Sequence, residues 1–176
     1  MTTKHGDLWE FSLALYAEPG VAASCLNLQN QYGFDINLVL FCIWYGLRHG
    51  NLTDDMLKHA IDLSKPWSET VIQPLRSLRS RLMLDRNGSA FSSGSEICAL
   101  RELIKSAELD AERIQQQELE RLILTSGTEC LDLVRGDQPA RSNLNRLAAT
   151  RGTRRNATIA GYFDAILLKV DCPSKG

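Results

Sequence analysis

At 176 residues the chain is long enough to bury one proper core and too short for two comfortable domains. Its composition, 44% hydrophobic and 23% charged, excludes disorder over the whole length. A formal net charge of −1 gives no global attraction to nucleic acid or to an anionic membrane.

That charge is unevenly spread. Residues 1–95 carry 8 Lys/Arg against 9 Asp/Glu, residues 96–134 carry 4 against 9, and residues 135–176 carry 8 against 3. An acidic segment followed by a basic one is expected to be compensated within the chain; the alternative is that each meets an outside partner. The five cysteines, Cys25, Cys42, Cys98, Cys130 and Cys172, are odd in number and contain no C-x-x-C. Such usage fits reduced thiols in a cytoplasmic protein. The polar stretch Met1–Asp7 lacks the features of a secretory signal.

In chain order, Asp7 and Glu10 read as a capping box for a first helix with Leu8, Phe11 and Leu15 on one face and Trp9 and Tyr16 on a neighbouring one. Glu18-Pro19-Gly20 stops it. Val21, Cys25, Leu28 and Tyr32 then form the stripe of a second helix, which Gly33 ends. Asp35 is a good N-cap for a third. From Ile36 to Tyr45 only Asn37 is polar, so this helix must be surrounded by others. Its apolar run ends at Leu47, well short of the ~20 residues that a bilayer span requires. Gly46 is tolerated inside it, and Gly50 closes it after Arg48 and His49.

Thr53-Asp54-Asp55 opens a fourth helix using Met56, Leu57, Ala60 and Ile61 and closing near Ser64. Ser64-Lys65-Pro66 restarts the chain, and Trp67, Val71, Leu75, Leu78 and Leu82 repeat as a buried stripe. Pro74 inside that pattern removes a hydrogen bond and should kink the helix. Residues 86–95 form a Ser/Gly loop. A long acidic helix follows over about 96–124, with Leu100, Leu103, Ala107, Ala111 and Ile114 on one side. Gln115-Gln116-Gln117 interrupts that apolar face, and Leu119, Leu122 and Ile123 resume it. Ser126-Gly127 should bend or break it before a short helix carrying Leu131 and Val134. Two more helical patterns, Arg141–Thr150 and Asn156–Val170, complete the chain.

No strand alternation, hairpin turn or repeat emerges. The fold class is therefore all-α: a single compact helical bundle around a buried apolar helix at about 36–49, with a long acidic helix at about 96–124. Residues 7–85 should form the core, with 96–136 packed alongside and 137–176 less tightly fixed.

Several of these residues form a distinctive combination. Leu8-Trp9-Glu10-Phe11-Ser12-Leu13, Tyr16, Pro19-Gly20-Val21, Cys25-Leu26, Leu28-Gln29, Asp35, Asn37-Leu38, Trp44, Trp67, Pro74-Leu75-Arg76 and Arg79 resemble a family of small uncharacterised proteobacterial proteins, a domain of unknown function. The resemblance covers about residues 7–85. It implies a bacterial cytoplasmic protein and carries over no activity, cofactor or catalytic residue.

Arg76 and Arg79, three apart, share a helix face and form the best anion-site candidate, because paired guanidinium groups grip phosphate or carboxylate through forked hydrogen bonds. The blander expectation is that they pair with Glu102, Glu108 or Glu112. Asn37, polar within a core helix, must find partners or cost a few kcal/mol. It can line a polar pocket with Tyr16, Gln29 and Arg76, although a satisfied structural network is preferred. His5, His49 and His59 lack companions to complete a metal set, so neither metal nor cofactor is expected. There is no nucleophile elbow, no phosphate-cradling glycine loop, and no further aspartate after Asp54-Asp55 of the kind a helical prenyl-diphosphate enzyme would use. Arg141, Arg146, Arg151, Arg154 and Arg155 offer phosphate neutralisation, yet their aromatic company is thin and no helix-turn-helix spacing is present.

The reading leans away from an enzyme. It favours a non-enzymatic interaction or regulatory protein that meets another protein or itself, with no membrane span. One alternative is a small anionic-ligand-binding protein or enzyme with a site at Arg76, Arg79, Asn37, Tyr16 and Gln29. The other is a nucleic-acid regulator acting through the basic C-terminal segment.

Overall fold

In the computed structural model, which describes residues 7–84, 95–125, 136–153 and 156–170, the chain is all-α with no strand among those residues. The helices are α1 (Leu8–Tyr16), α2 (Val21–Tyr32), α3 (Ile36–His49), α4 (Asp54–Trp67), α5 (Gln73–Leu84), α6 (Ser95–Thr125), α7 (Gln138–Thr150) and α8 (Ala157–Leu167). A π-helical turn, Ser68–Ile72, joins α4 to α5. Of the loop expected at 86–95 only Ser95 is described, as the first residue of α6; its other residues, the bend at Ser126-Gly127 and the short helix carrying Leu131 and Val134 lie outside the described residues.

Most helix boundaries follow from local chemistry. The Asp7 carboxylate accepts the Glu10 N–H, and Glu120 of α6 takes the free N–H of Leu8 at 2.8 Å. Asp35, Thr53 and Asn156 cap α3, α4 and α8 through their side chains. Gly33 adopts φ +68°, ending α2 in the left-handed conformation that costs glycine least. Helix α3 is the axis of the molecule. Asn37 to Gly46 are buried without a break, as its all-round apolar sequence requires.

Four expectations need correcting. The first concerns the α4–α5 segment, where no new helix starts at Ser64: α4 continues through Pro66 into the π turn and on into α5. The π turn lies immediately before Pro74. There the Gln73 N–H reaches back to the Ser68 carbonyl, widening the helix where the proline ring would otherwise crowd the Thr70 carbonyl. Along the same segment Ile72, not Leu78, is buried, and Leu78 stays exposed.

The second correction concerns α6. Its buried line is Ile104, Glu108, Ala111, Gln115, Leu119 and Ile123, with Gln116 beside it. Of the expected face Ala111, Leu119 and Ile123 are covered, whereas Leu100, Leu103 and Ile114 remain exposed. Gln115 and Gln116 do not interrupt the packing; they take part in it, while Gln117 is exposed.

The third is that the C-terminal segment is no loose appendage. Helix α7 packs along α3, burying Ala140, Asn143, Leu144, Leu147 and Ala148, while α8 packs on α2 through Ile159, Phe163, Ile166 and Leu167. Gly46 is what admits α7 so closely, since a Cβ there would stand 2.4 Å from both Cα and N of Ala140. Asn143, wholly buried, accepts the Leu52 N–H at 2.8 Å and donates to the Cys42 and Gly50 carbonyls, tying α7 to the body of α3 and to the turn that follows it.

The fourth is that the basic tail does not discharge onto the acidic helix through its described arginines. Arg141 pairs with Asp137 and Asp164, Arg146 with Asp54, and Arg151 lies over the Phe34 ring and donates to the Tyr32 carbonyl. Arg154 and Arg155 lie outside the described residues.

Candidate functional site

The five residues singled out in the sequence converge on one cavity. Arg76, Arg79, Asn37, Tyr16 and Gln29 all line a cleft of about 430 Å³ bounded by α1, α2, α5 and α6, with the start of α3 as its floor. Trp9, Leu13, Leu26, Leu40 and Leu109 supply apolar walls. This volume lies at the small end of ligand pockets, which run from roughly 300 to 1,000 Å³. Each helix contributes by its own periodicity: Trp9, Ser12 and Tyr16 come from one side of α1, and Glu108, Glu112 and Gln116 recur every four residues along α6.

The two arginines are committed within the chain. Arg79 grips Glu108 with a two-pronged contact, Nε to Oε2 at 2.6 Å and a second nitrogen to Oε1 at 3.2 Å. Arg76 bridges Glu108 at 2.9 Å and Glu112 at 2.7 Å. Glu102, the third partner considered, sits instead beside Arg101 and Lys105. Burial pushes the Glu108 carboxyl up, but the hydrogen bonds from Arg79 and Arg76 outweigh it and hold the group below the usual glutamate range. Glu112 moves the other way, because burial prevails over its contact with Arg76. The Tyr16 hydroxyl is also raised, by burial and then by its neighbours Cys25 and Glu112.

Below this ionic cluster runs a relay of amides that the sequence did not reveal. Asp35, the N-cap of α3, accepts the Asn37 N–H at one oxygen and the Gln115 side-chain amide at the other, at 2.9 and 2.7 Å. Gln115 in turn accepts from the Asn37 side chain at 2.7 Å, and Asn37 accepts from Gln116 at 2.8 Å. Asn37 therefore has the satisfied buried network expected of it, and also lines the cavity. Burial raises the pKa of Asp35 against the hydrogen bonds from Gln115 and the Asn37 and Leu38 amides. The relay was missed because Gln115-Gln116-Gln117 reads as a polar break. The signal lay in register, since Gln115 follows Ala111 and precedes Leu119 by four residues.

A second and more polar cleft, of about 550 Å³, lies on the other side of the Arg76–Glu112 contact and shares Gln29, Ile36 and Asn37 with the first. Among the described residues no three His, Cys, Asp or Glu side chains cluster to hold a metal ion, and no helix is long and apolar enough to cross a membrane. Cys25 and Cys42 are buried, and burial pushes the Cys25 thiol up to about 12, far from the thiolate that nucleophilic chemistry needs.

No curated protein and no solved structure matches the chain. The sequence profile of a family described as "Protein of unknown function (DUF2390)" matches residues 7–119, so that it takes in α1 to α5 and most of α6, including every side chain of the ionic cluster and the amide relay. The chain belongs to that family.

Proposed function

We propose that this chain is a non-enzymatic cytoplasmic bacterial protein, a single helical domain that acts by binding another protein along the outer face of α6. The observation that carries the reading is that Leu103 and Leu124 stay 68% and 82% exposed, with Leu100 and Ile114 exposed on the same helix, although the remaining described helices have packed. These positions, with Ala107, follow a heptad-like spacing on a 31-residue helix, the form of surface on which an amphipathic helix docks. Acidic residues outnumber basic ones in the segment, so a partner helix with basic flanks suits it best. Support for a single domain comes from one apolar core that draws on residues from Leu8 to Leu167. Support for a reducing compartment comes from the free cysteines Cys25, Cys42 and Cys98.

The test is affinity capture with the full chain beside a Leu100→Glu, Leu103→Glu double variant, with light scattering on both. A stoichiometric partner held by the parent and lost from the variant supports the reading. A dimer abolished by the same changes makes the partner a second copy. Equal capture by both proteins sinks it.

A second reading, that the chain binds a small molecule, is favoured by the convergence of Arg76, Arg79, Asn37, Tyr16 and Gln29 on one cavity. Nucleic-acid binding through the tail gains less, because Arg141, Arg146 and Arg151 are engaged with Asp137, Asp164, Asp54 and the Tyr32 carbonyl.

A further inference from the structure

The amide relay has a direction, and its last residue, Gln116, lines the cavity. Asp35 accepts at both oxygens, from the Asn37 N–H and from the Gln115 side chain, so the nitrogen of Gln115 faces it. The oxygen of Gln115 then faces the nitrogen of Asn37, and the oxygen of Asn37 faces the nitrogen of Gln116. What is left over is Gln116 Oε1. It is buried and has no hydrogen-bond partner in the protein, and Gln116 is a lining residue of the cavity, itself 2% exposed. A second lining residue, Ser12 at 4% exposure, has its hydroxyl in the same condition. Buried polar groups left without partners are uncommon and costly, and two of them border one cleft.

We propose that this cavity, if it takes a small molecule as the second reading above holds, takes a neutral amphipathic one whose head donates a hydrogen bond to Gln116 Oε1, with its apolar body against Trp9, Leu13, Leu26 and Leu109. A primary amide complements the site best: its N–H meets the glutamine oxygen and its carbonyl can accept from Ser12. Charge selects against the alternatives. An anion would have to displace Glu108 or Glu112 from guanidinium groups they already occupy, and a cation would have to displace Arg76 or Arg79 from the same carboxylates. A neutral head avoids both costs. Asp35 is thus a positioning residue that sets the polarity of a site it does not touch.

The experiment uses the full chain with three matched probes: hexanamide, the methyl ketone in which CH3 replaces its NH2, and hexanoate. Calorimetry reads affinity, and NMR follows the Gln116 side-chain amide. Hexanamide is expected to bind about tenfold more tightly than the ketone or hexanoate, the usual worth of one hydrogen bond to a buried acceptor, and to shift the Gln116 resonances. The second arm is Asp35→Asn. Asparagine caps a helix as well as aspartate does, but its nitrogen would face Gln115 and reverse every amide in the relay, leaving Gln116 to offer N–H groups. In that variant the advantage of hexanamide over the ketone should vanish and hexanoate should gain. Equal affinities in the parent protein, as in a greasy slot whose polar floor holds only water, overturn the inference while leaving a ligand-binding cavity standing. An amide preference unchanged in a folded Asp35→Asn protein overturns it too. No binding by any probe overturns the inference and the cavity reading together.

Discussion

Gly46 of α3 and Ala140 of α7 meet backbone to backbone, close enough that the hydrogen of the glycine is the only substituent the gap admits. Helix propensity alone would favour Gly46→Ala by about 1 kcal/mol. The contact opposes it, because the added methyl would meet Cα and N of Ala140 rather than a side chain that can swing aside. Overpacking of this kind costs about 1–3 kcal/mol and more where backbone must move, so we expect Gly46→Ala to be destabilising in denaturant unfolding. Adding Ala140→Gly should not restore stability, since the obstructing atoms belong to the main chain.

Asn143 offers a second check on the α3–α7 contact. Its amide serves the Cys42 carbonyl within α3 and the Gly50 carbonyl and Leu52 N–H just after it, all out of water. Asn143→Leu should lower stability by about 2–4 kcal/mol, because the Leu52 N–H and the Gly50 carbonyl lose their bonds to this side chain in a buried setting. A loss below about 1 kcal/mol would show that the end of α3 does not depend on this side chain.

The carboxyl groups around the cavity should respond to pH in opposite senses. Glu108 has its folded pKa below the ordinary 4.5. Its contribution to stability is therefore complete above that value and is lost as the pH falls through the folded pKa. The stability gap between the parent and Glu108→Gln, about 2–4 kcal/mol at neutral pH for a nearly buried ion pair, should narrow on acidification. Asp35 is raised above its ordinary 3.8, so its ionisation costs the folded state progressively as the pH rises from there. The melting temperature of Asp35→Asn relative to the parent should climb over the same interval. Thermal melts of the three proteins across the acid range check both signs.

The outer face of α6 should be neutral for folding. Leu103→Glu replaces a side chain that is mostly in water already, so unfolding should shift by no more than about 0.5 kcal/mol. A large loss would mean that the face is covered in solution, by a second copy of the chain, and the loss would then depend on protein concentration.

Much of this architecture was legible in the sequence because it rests on local rules. The caps Asp7, Asp35 and Thr53, the stop at Gly33 and the all-round apolar run after Ile36 each act within a few residues, and each is where the residues place it. The pairing of Arg76 and Arg79 with acidic groups of the long helix was legible too, since helical spacing puts the arginines on one face. What escaped was which face of α6 turns inward. Judged by hydrophobicity, Leu100, Leu103 and Ile114 are the better core residues. The chain buries Glu108, Gln115 and Gln116 instead because α3 and α5 present Asn37, Asp35 and two arginines that need partners. A periodicity count weighs each helix alone, whereas this choice was made by the polar groups of its neighbours. Gly46 was illegible for the same reason: its role exists only once α7 arrives.

The π turn before Pro74 holds one residue more than an α-helix would place there. Since each residue turns a helix by about 100°, that surplus fixes the azimuth at which everything downstream leaves the rod. Arg76 and Arg79, both downstream of the turn, face Glu108 at this setting. The proline therefore reaches well beyond its own ring, acting as an angular spacer that aims two guanidinium groups at the next helix of the chain.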